Sequence, residues 1–427
     1  MSPSAEPPGA ALVNLGCRVN RVELDLMAQE LERAGVRLVG EAAAAVVIVN
    51  TCAVTGEAEA KTRRAVRRAA RLPQLPLVVA TGCAASLFPE ELAALAPNVV
   101  VEADKGRVAG LVAERLAGLD SGRGPSRDLA ADRPTPTGRT RPGVKIQDGC
   151  DSRCTYCIVW RARGRSRSVA PERVVSLVRE ACARGGREVV LTGINLGSYR
   201  ARDERGRELG LAGLVELLLE RTDVGRLRLS SIEPPDVTGE LCHVMAAGGS
   251  RVAPFLHVCL QSGADETLRR MGRPYDTGLF RRVVATAREA LPDVALGTDL
   301  IVGFPGETDD EFERSLALCA KTRFSRMHVF RYSRRPDTPA AALDAQVDPR
   351  VSAERARRAH ALARELRLAE AQRLVGKDDL ALVEFGGCAV SGGLFDVELA
   401  ADVEPGSLVA VRLTEARPDG TLVGVLR

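Results

Sequence analysis

The chain has 427 residues, of which 45% are hydrophobic, and its formal net charge is +4. This size predicts a globular protein of about three domains. The net charge is too small to identify a partner, and no run of the sequence approaches the roughly 20 apolar residues of a membrane span. The 11 cysteines and a first segment without a basic or apolar leader argue against a secreted disulfide framework, so we expect reduced thiols in the cytoplasm and no membrane partner.

The first third of the chain alternates apolar strands with helical patterns, an order that predicts an open parallel α/β sheet. The predicted strands are residues 12–15, 46–49 and 77–80, and the predicted helices are residues 23–34, 58–71 and 89–96. Cys17, Cys52 and Cys83 each follow one of these strands within three residues. Because the carboxyl ends of parallel strands face one crevice, we expect the three thiols to converge there. The alternative is three buried free thiols, which would favour strand interiors over strand exits.

Residues 121–142 are rich in Gly, Pro, Ser, Thr and Arg, a composition that predicts a linker. Six predicted strands follow, at residues 144–147, 188–191, 226–229, 255–260, 294–302 and 327–330. Helical patterns separate most of them, so we expect an open (β/α)6 barrel with its reactive end at the strand carboxyl ends. After a helix at 352–374, short strands with Gly-Gly turns predict a small antiparallel β-barrel. The expected domains are residues 9–120, 143–375 and 376–427.

A tighter group of cysteines, Cys150, Cys154 and Cys157, lies in the loop after the first barrel strand. A four-iron cluster normally takes four thiolates, so a group of three leaves one iron open to a ligand. The two groups therefore predict two reactive clusters. Zinc is the alternative metal, but it prefers four ligands in paired Cys-x2-Cys units, and no fourth cysteine or histidine lies nearby in sequence. The residues interpreted as core are Cys182, Cys242, His257, Cys259, Cys319 and Cys388.

Two stretches of the chain are strongly basic. Between residues 133 and 167, nine Arg or Lys residues stand against Asp148 and Asp151, a net charge of +7. The other stretch follows Cys52 and comprises Lys61, Arg63, Arg64, Arg67, Arg68 and Arg71. A charge run is usually a solvated helix face. Two runs near two cysteine groups make nucleic acid a candidate, because cations displace phosphate counterions. The candidate phosphate contacts, with plain surface charge as the alternative, are Arg161, Arg163, Arg165 and Arg167.

The Cys-x3-Cys-x2-Cys triplet in a first β-to-α loop resembles the signature of the radical S-adenosylmethionine (SAM) enzymes. The resemblance implies that the open iron binds the amino and carboxylate groups of SAM and that reduction releases a 5′-deoxyadenosyl radical. Tyr156 matches the aromatic that the family carries between the last two cysteines. The other residues that the resemblance assigns to SAM are Gly193, Asn195, Ser231, Gln261 and Asp299. For any one of them, a local hydrogen bond is the alternative role.

Further segments resemble the methylthiotransferase branch of that superfamily and cover nearly the whole chain. They are NLGCRVN at 14–20, NTCAVT at 50–55, TGC at 81–83, LQSG at 260–263 and DLIVGFPGE at 299–307. The resemblance implies that Cys17, Cys52 and Cys83 hold an auxiliary [4Fe-4S] cluster that carries sulfur. It also implies that the C-terminal β-barrel is the RNA-binding TRAM module, although a tail with few aromatic and basic residues favours weak binding. Trp160-Arg161 departs from the family's usual proline and aromatic.

Three sub-branches of the family differ in substrate. The segments RVN at 18–20, AVT at 53–55 and FRYS at 330–333 look most like the branch that modifies N6-threonylcarbamoyladenosine next to the anticodon of tRNA. The implied reaction removes hydrogen from C2 of that base and installs a methylthio group, with a reductant such as flavodoxin or ferredoxin. The alternative substrates are isopentenyladenosine in tRNA and an aspartate of a ribosomal protein. Two non-enzymatic alternatives are a two-cluster electron carrier and a tRNA-binding protein.

Overall fold

The computed structural model describes residues 8–118 and 140–427. The chain divides into two compact units. Of the described residues, the first unit comprises 8–118 with Cys157–Gly164, and the second comprises 140–156 with Arg165–Arg427. Residues 121–139 of the expected linker lie outside the described residues. No helix in the described part of the chain combines the length and apolarity that a membrane crossing requires.

The first unit is built on four parallel strands that pair in chain order, which confirms the expected open sheet. The strands are β1 (Gly9–Asn14), β2 (Ala44–Thr51), β3 (Leu77–Gly82) and β4 (Val99–Val101). The helices are α1 (Arg18–Arg33), α2 (Gly56–Ala70), α3 (Cys83–Leu87), α4 (Pro89–Ala93), α5 (Lys105–Ala117) and α6 (Val159–Arg163).

Both faces of this sheet are covered, because successive residues of β2 enter two different cores. Val47 and Val49 pack in one core with Val66 of α2. Ile48 packs in the other core with Met27 of α1. A strand buried on both faces reads as a continuous apolar run, and β2 contains the run Val-Val-Ile-Val. The sheet is therefore the middle of three layers.

The second unit begins with the expected six β/α units, whose strands form two hydrogen-bonded parallel sheets. One sheet contains β5 (Gly143–Lys145), β8 (Glu188–Thr192) and β11 (Arg226–Leu229). The other contains β12 (Ser231–Ile232), β13 (Phe255–Val258), β14 (Ala295–Val302) and β15 (Arg326–Arg331). Only Ser230 separates β11 from β12, so these two short strands form the third unit of the series.

Helices and short ribbons surround these strands. The ribbons are β6 (Gln147–Asp148) with β7 (Arg167–Ser168), and β9 (Ala201–Arg202) with β10 (Glu208–Leu209). The helices are α7 (Pro171–Ala183), α8 (Leu211–Arg221), α9 (Gly239–Ala247), α10 (Asp265–Arg270), α11 (Thr277–Ala290), α12 (Asp309–Thr322) and α13 (Pro349–Leu374).

The barrel strands alternate between an apolar face and an inner face. Leu296, Leu300 and Val302 of β14 join the large core beneath the helices. Gly297 and Asp299 lie between them in sequence and therefore point to the other side of the strand. This alternation places polar side chains from several strands on the inner face.

A closed five-stranded barrel ends the chain, as expected, but it is not wholly antiparallel, because its third and fifth strands pair in parallel. Its strands are β16 (Asp378–Val383), β17 (Cys388–Val390), β18 (Asp396–Leu399), β19 (Leu408–Ala416) and β20 (Leu422–Leu426). The order around the barrel is β16-β17-β18-β20-β19. A core that includes Phe395, Val411 and Leu413 fills the barrel, and Phe255 and Ala295 of the larger barrel pack into the same core.

Two buried arginines of β11 join this small barrel to the larger one. Arg226 and Arg228 donate to Glu188 of β8 at 2.5 and 2.6 Å. Arg228 also donates to the main-chain oxygens of Gly392 at 2.8 Å and Ser391 at 3.1 Å, in the small barrel. Burial alone would raise the pKa of Glu188, but the two guanidinium groups outweigh it and lower the pKa to about 2. The ion pairs therefore hold β11 to β8, and the arginine hydrogen bonds to main-chain oxygens fix the start of β11 against the C-terminal barrel.

Candidate functional site

Strand register brings the ends of β1, β2 and β3 to one edge of the first sheet. Asn14 of β1 is level with Asn50 of β2, which is level with Thr81 of β3. Three cysteines lie two or three residues beyond these positions, and they are Cys17, Cys52 and Cys83. Residues that are distant in sequence therefore emerge side by side from adjacent strands, as their positions after the predicted strands indicated.

The local geometry places the three thiols close together. Burial raises the pKa of the Cys52 thiol, and the neighbouring thiols of Cys17 and Cys83 raise it further. Gly16 has a φ of 136°, and an added Cβ there would lie 2.8 Å from the Cβ and 3.0 Å from the Sγ of Cys52. Only glycine accommodates both this backbone conformation and this approach. The loop that carries Cys17 therefore passes directly over Cys52.

The donor set of each cysteine group bears on which metal it could hold. Each group offers three thiols. Three thiolates can hold a four-iron cluster and leave one iron open to a further ligand. Structural zinc sites take four protein ligands instead.

Buried amides tie the loops of the first cysteine group together. Asn20 is fully buried, and its Nδ2 donates to the main-chain oxygens of Thr51 at 2.7 Å and Leu15 at 3.2 Å. The Nδ2 of Asn50 donates to the main-chain oxygen of Asn20 at 2.6 Å. Since Thr51 directly precedes Cys52, these bonds hold the start of α1 against the end of β2.

A buried ion pair in the first unit involves α1, the helix that follows Cys17. Arg163 of α6 donates to Glu23 at 2.6 and 3.0 Å and to the Oδ1 of Asn20 at 2.7 Å. Lys105 forms a second ion pair with Glu23. The side chain of Arg163 is only 6% exposed. Arg163 is thus bound inside the unit, which corrects the expectation that it contacts phosphate.

The second cysteine group occupies one loop, as expected from its spacing. Cys154 is buried, while Cys150 and Cys157 are partly buried. Between them, the backbone N–H of Thr155 donates to Met271 O at 3.0 Å, and its hydroxyl donates to Arg270 O at 2.8 Å. The middle of the loop is therefore fixed to the end of α10.

Arg273 is a candidate site residue that the sequence did not reveal. Its Nη1 donates to the Sγ of Cys154 at 3.0 Å, and its guanidinium forms an ion pair with Glu233. Its Nε donates to the hydroxyl of Tyr275 at 3.1 Å. A guanidinium group therefore lies beside a thiol that could bind iron as a thiolate. Its only sequence signal is a basic residue just after Gly272, which has a φ of 69°.

Of the residues that the resemblance assigned to SAM, Gly193, Asn195 and Gln261 follow the carboxyl ends of barrel strands, Ser231 begins β12, and Asp299 lies within β14. The backbone N–H of Asn195 donates to the Oε1 of Gln147 at 2.9 Å, and an added Cβ at Gly193 would lie 2.9 Å from the same oxygen. The backbone N–H of Gln261 donates to Asp299 O at 2.9 Å. Ser231 is exposed, whereas Tyr156 packs its ring edge-on against Phe304 with centroids 6.4 Å apart.

Asp299 is held by two histidines on the inner face of the barrel. Its Oδ1 lies 3.2 Å from the Nε2 of His257 and 3.2 Å from the Nδ1 of His328. Gly297 makes room for the first ring, because a Cβ there would lie 2.9 Å from its Nδ1. Burial would raise the pKa of Asp299, but the hydrogen bonds of both histidines lower it. Asp299 therefore stays ionised near neutral pH and can accept hydrogen bonds.

This arrangement shows what sequence reasoning missed in the barrel. His257 is buried, as its interpretation as a core residue required, but it also contacts a candidate site residue. The Nε of Arg326 donates to the Nε2 of His328 at 3.3 Å, which leaves the proton of that imidazole on Nδ1, facing Asp299. Neither histidine stands in a motif, so only the register of β13, β14 and β15 reveals the group.

The remaining candidate arginines are exposed. Arg161 lies on α6 of the first unit. In the second unit, the side chain of Arg165 is 90% exposed and lies 3.8 Å from Asp151, while that of Arg167 is 61% exposed and lies 3.8 Å from Asp148. Such loose pairs leave the cations accessible to another anion.

The other cysteines are core residues in part. Cys242, Cys259 and Cys319 are buried, as expected. Cys182 is partly buried, and Cys388 is exposed at the start of β17, so the core interpretation was wrong for Cys388. Cys388 lies two residues before the buried Val390 and so faces the same side of the strand. As the first residue of a three-residue strand, however, it is exposed.

The fold and the two cysteine groups define the class of a radical SAM enzyme. A family model described as Radical SAM superfamily matches residues 144–319, and one described as Uncharacterized protein family UPF0004 matches residues 10–102. A solved radical S-adenosylmethionine methyltransferase, TsrM, from Kitasatospora setae shares the fold at 16% identity, with a TM-score of 0.55 over 87% of this chain and 76% of its own.

Curated relatives narrow this class. The threonylcarbamoyladenosine tRNA methylthiotransferase MtaB of Thermotoga maritima is 36% identical, over 87% of this chain and 85% of its own. The tRNA-2-methylthio-N(6)-dimethylallyladenosine synthase of Novosphingobium aromaticivorans is 33% identical, over 97% of each chain. The chain belongs to the radical SAM methylthiotransferase family. Its cofactors are SAM and two [4Fe-4S] clusters.

Proposed function

We propose that this enzyme converts N6-threonylcarbamoyladenosine next to the anticodon of tRNA to its 2-methylthio derivative. The observation that carries the methylthio chemistry is the convergence of Cys17, Cys52 and Cys83 at one sheet edge, in a unit separate from the core of the barrel. Sulfur insertion requires a second open cluster, whereas cleavage of SAM alone does not require one. The threonylcarbamoyl substrate is supported by the name of the Thermotoga relative and by the segments at 18–20, 53–55 and 330–333.

The two cysteine groups have different proposed roles. Cys150, Cys154 and Cys157 would hold the cluster that binds SAM, and Cys17, Cys52 and Cys83 would hold the auxiliary cluster. When bound, the first supplies an electron for cleavage of SAM and the second supplies sulfur. Arg273 would position the Sγ of Cys154 through its hydrogen bond of 3.0 Å and would place a positive charge beside the cluster.

The proposed SAM contacts divide by chemistry. Gly193 has no side chain, so its backbone can approach a ligand closely, and Tyr156 offers an aromatic edge. The ionised Asp299 can accept hydrogen bonds from hydroxyl or ammonium groups. The other two side chains, Ser231 and Gln261, can donate or accept. Asn195 carries an Oδ1 that is buried without a hydrogen-bond partner among the described residues, so a bound donor group would satisfy it.

The partners follow from this reaction. The exposed Arg161, Arg165 and Arg167 would contact the phosphate backbone of tRNA, and Arg163 is left out because it is buried. A small electron carrier such as flavodoxin or ferredoxin would reduce the clusters, in the cytoplasm. The functional domains would be residues 9–120, 143–375 and 376–427, joined by the linker at 121–142, with the last domain positioning RNA.

The second candidate substrate is isopentenyladenosine in tRNA. It is favoured by the relative from Novosphingobium aromaticivorans, whose match extends over 97% of this chain. Both candidates place the reaction at C2 of a modified adenine, so they share the cluster chemistry and differ in the group on N6.

Mass spectrometry of tRNA nucleosides from cells with and without the gene separates these substrates. We expect deletion to remove the 2-methylthio form and to cause threonylcarbamoyladenosine to accumulate. Accumulation of isopentenyladenosine would overturn the favoured substrate, and unchanged tRNA would favour a ribosomal protein. Purified wild type should cleave SAM on reduction, whereas Cys157→Ala should not and the exposed-thiol control Cys388→Ala should. A chain that cleaves no SAM would be an electron carrier or a binding protein.

A further inference from the structure

Helix α2 of the first unit and its C-cap residue, Arg71, together carry six cationic side chains between residues 61 and 71. The fold itself neutralises three of them. These are Lys61 with Glu57 at 2.8 Å, Arg63 with Glu59, and Arg68 with Glu41 at 2.9 Å. The helix therefore has two populations of cations, one with partners and one without.

The other three cations are Arg64, Arg67 and Arg71, and all of them are exposed. Within residues 8–118 and 140–427, no carboxylate lies at ion-pair distance from these three side chains. Their spacing of three and four residues places them on one face of a helix, where they extend over about 10 Å. They form what is here named the α2 arginine stripe: Arg64, Arg67 and Arg71.

The stripe lies away from the core of the first unit. The buried residues of α2 are Thr62, Val66, Ala69 and Ala70. With about 100° between successive helical residues, these four define one side of the helix and the stripe occupies the opposite side. The arginines therefore point to solvent and are available to a partner.

Stability of the helix alone does not explain the stripe. Cations near a helix C-terminus gain from the helix dipole, but Arg68 already provides such a charge with a partner. Like charges three or four residues apart repel one another and destabilise the helix. An anion with charges at several points along the stripe would remove this repulsion. A nucleic-acid backbone has this property.

We infer that the α2 arginine stripe binds the phosphate backbone of tRNA, as a contact surface on the first unit additional to the arginines that follow the radical cysteines. The inference rests on the proposed function for the identity of the RNA. It does not depend on which N6 group the adenine carries, because phosphate contacts read no base.

The test compares two variants that lose the same charge. One is the triple variant Arg64→Gln, Arg67→Gln, Arg71→Gln of the stripe, and the control is the triple variant Lys61→Gln, Arg63→Gln, Arg68→Gln. The probes are an anticodon stem-loop with threonylcarbamoyladenosine and a full-length tRNA transcript. Binding to the reconstituted enzyme is measured from 50 to 300 mM salt. Near 150 mM the Debye length is about 8 Å, so direct contacts dominate.

We expect the stripe variant to bind full-length tRNA roughly tenfold more weakly at 150 mM salt and to lose about 2 to 3 from the slope of log affinity against log salt. The control variant should keep the slope to within about 1. Equal losses in the two variants would overturn the inference, because general charge would then suffice. Unchanged tRNA affinity in the stripe variant would also overturn it.

Two further measurements distinguish failure of this inference from a loss of folding and from failure of the proposed function. Neither the unfolding midpoint nor cleavage of SAM without RNA should fall in the stripe variant, and a loss of either would show that the arginines support the fold instead. If wild type itself binds neither RNA probe, the proposed tRNA function fails. If wild type binds tRNA but modifies isopentenyladenosine, the difference between the two variants should persist on that tRNA.

Discussion

The two cysteine groups reach the same ligand count by different routes. Cys17, Cys52 and Cys83 come from three strand ends and meet because β1, β2 and β3 share a register. The other group lies within one loop of eight residues, from position 150 to position 157. The first group therefore depends on the correct fold of a whole sheet, whereas the second depends mainly on local sequence. Damage to the fold should affect the two clusters unequally.

The largest expected effect comes from removing one ligand of each group. Cys154→Ala should abolish cleavage of SAM and with it every product, because the radical cluster loses a thiolate. Cys83→Ala should retain SAM cleavage while product formation falls by more than about 100-fold, since several kcal/mol of transition-state stabilisation are lost. Liquid chromatography of 5′-deoxyadenosine and of the modified nucleoside measures both. Loss of SAM cleavage in Cys83→Ala would mean that the two sites are not independent.

The buried ion pairs of Glu188 test whether the contiguous cysteine loop depends on the stability of the second unit. Glu188→Gln leaves Arg226 and Arg228 buried without their counter-ion, so unfolding should require roughly 3 to 5 kcal/mol less. Iron bound by the contiguous loop should be unchanged under native conditions. Urea denaturation followed by circular dichroism gives the first value and iron analysis of Cys83→Ala, with and without Glu188→Gln, gives the second. Release of this iron would show that the loop depends on the fold as much as the strand ends do.

The same ion pairs make stability depend on pH. The pKa of Glu188 is about 2 in the folded chain and about 4.3 when unfolded, so the folded state favours the ionised form. The contribution is complete above pH 4.3 and is lost as pH falls towards 2. The difference in unfolding free energy between wild type and Glu188→Gln should therefore shrink over this range. A difference that does not change between pH 6 and pH 3 would contradict the assignment.

A smaller backbone change tests the assembled group. Gly16→Ala adds a Cβ 2.8 Å from that of Cys52 at a φ of 136°, a strain of about 1 to 3 kcal/mol. We expect a weaker auxiliary cluster, seen as roughly half the iron per chain after desalting, with SAM cleavage retained. Gly40→Ala is the matched control, because nothing lies within 4 Å of its added Cβ and its φ is −69°. Equal iron in both variants would remove the geometric argument for Gly16.

The smallest expected effect concerns the electrostatics of the contiguous group. Arg273→Met removes the cation that donates to Cys154, so SAM cleavage should slow by roughly tenfold, the effect of about 1.4 kcal/mol. Arg273→Lys should recover part of the rate. Arg269→Met, at an exposed position on α10, is the control. Full activity in Arg273→Met would show that the loop needs no counter-charge.

The comparison also explains what sequence could predict. Strand exits after apolar runs predicted the positions of Cys17, Cys52 and Cys83, because parallel strands end at one edge. The contiguous triplet needed only its spacing. Arg163 was misplaced because its partner Glu23 lies 140 positions away and no local pattern announces a buried ion pair.

Two other features could not be predicted from the sequence, for the same reason. The contact of Arg273 with Cys154 spans 119 positions, and His328 meets Asp299 only through the register of β14 and β15. Periodicity predicts which elements form and which face is apolar. It does not predict which polar side chains on different elements meet.

Iron and sulfide analysis with electron paramagnetic resonance tests most directly whether six thiolates hold two clusters. Anaerobically reconstituted wild type should contain about eight iron atoms per chain, and a triple alanine variant of either cysteine group should contain about four with a [4Fe-4S] signal. Wild type with about four iron atoms, or a trio that retains a single zinc ion, would contradict the two-cluster assignment.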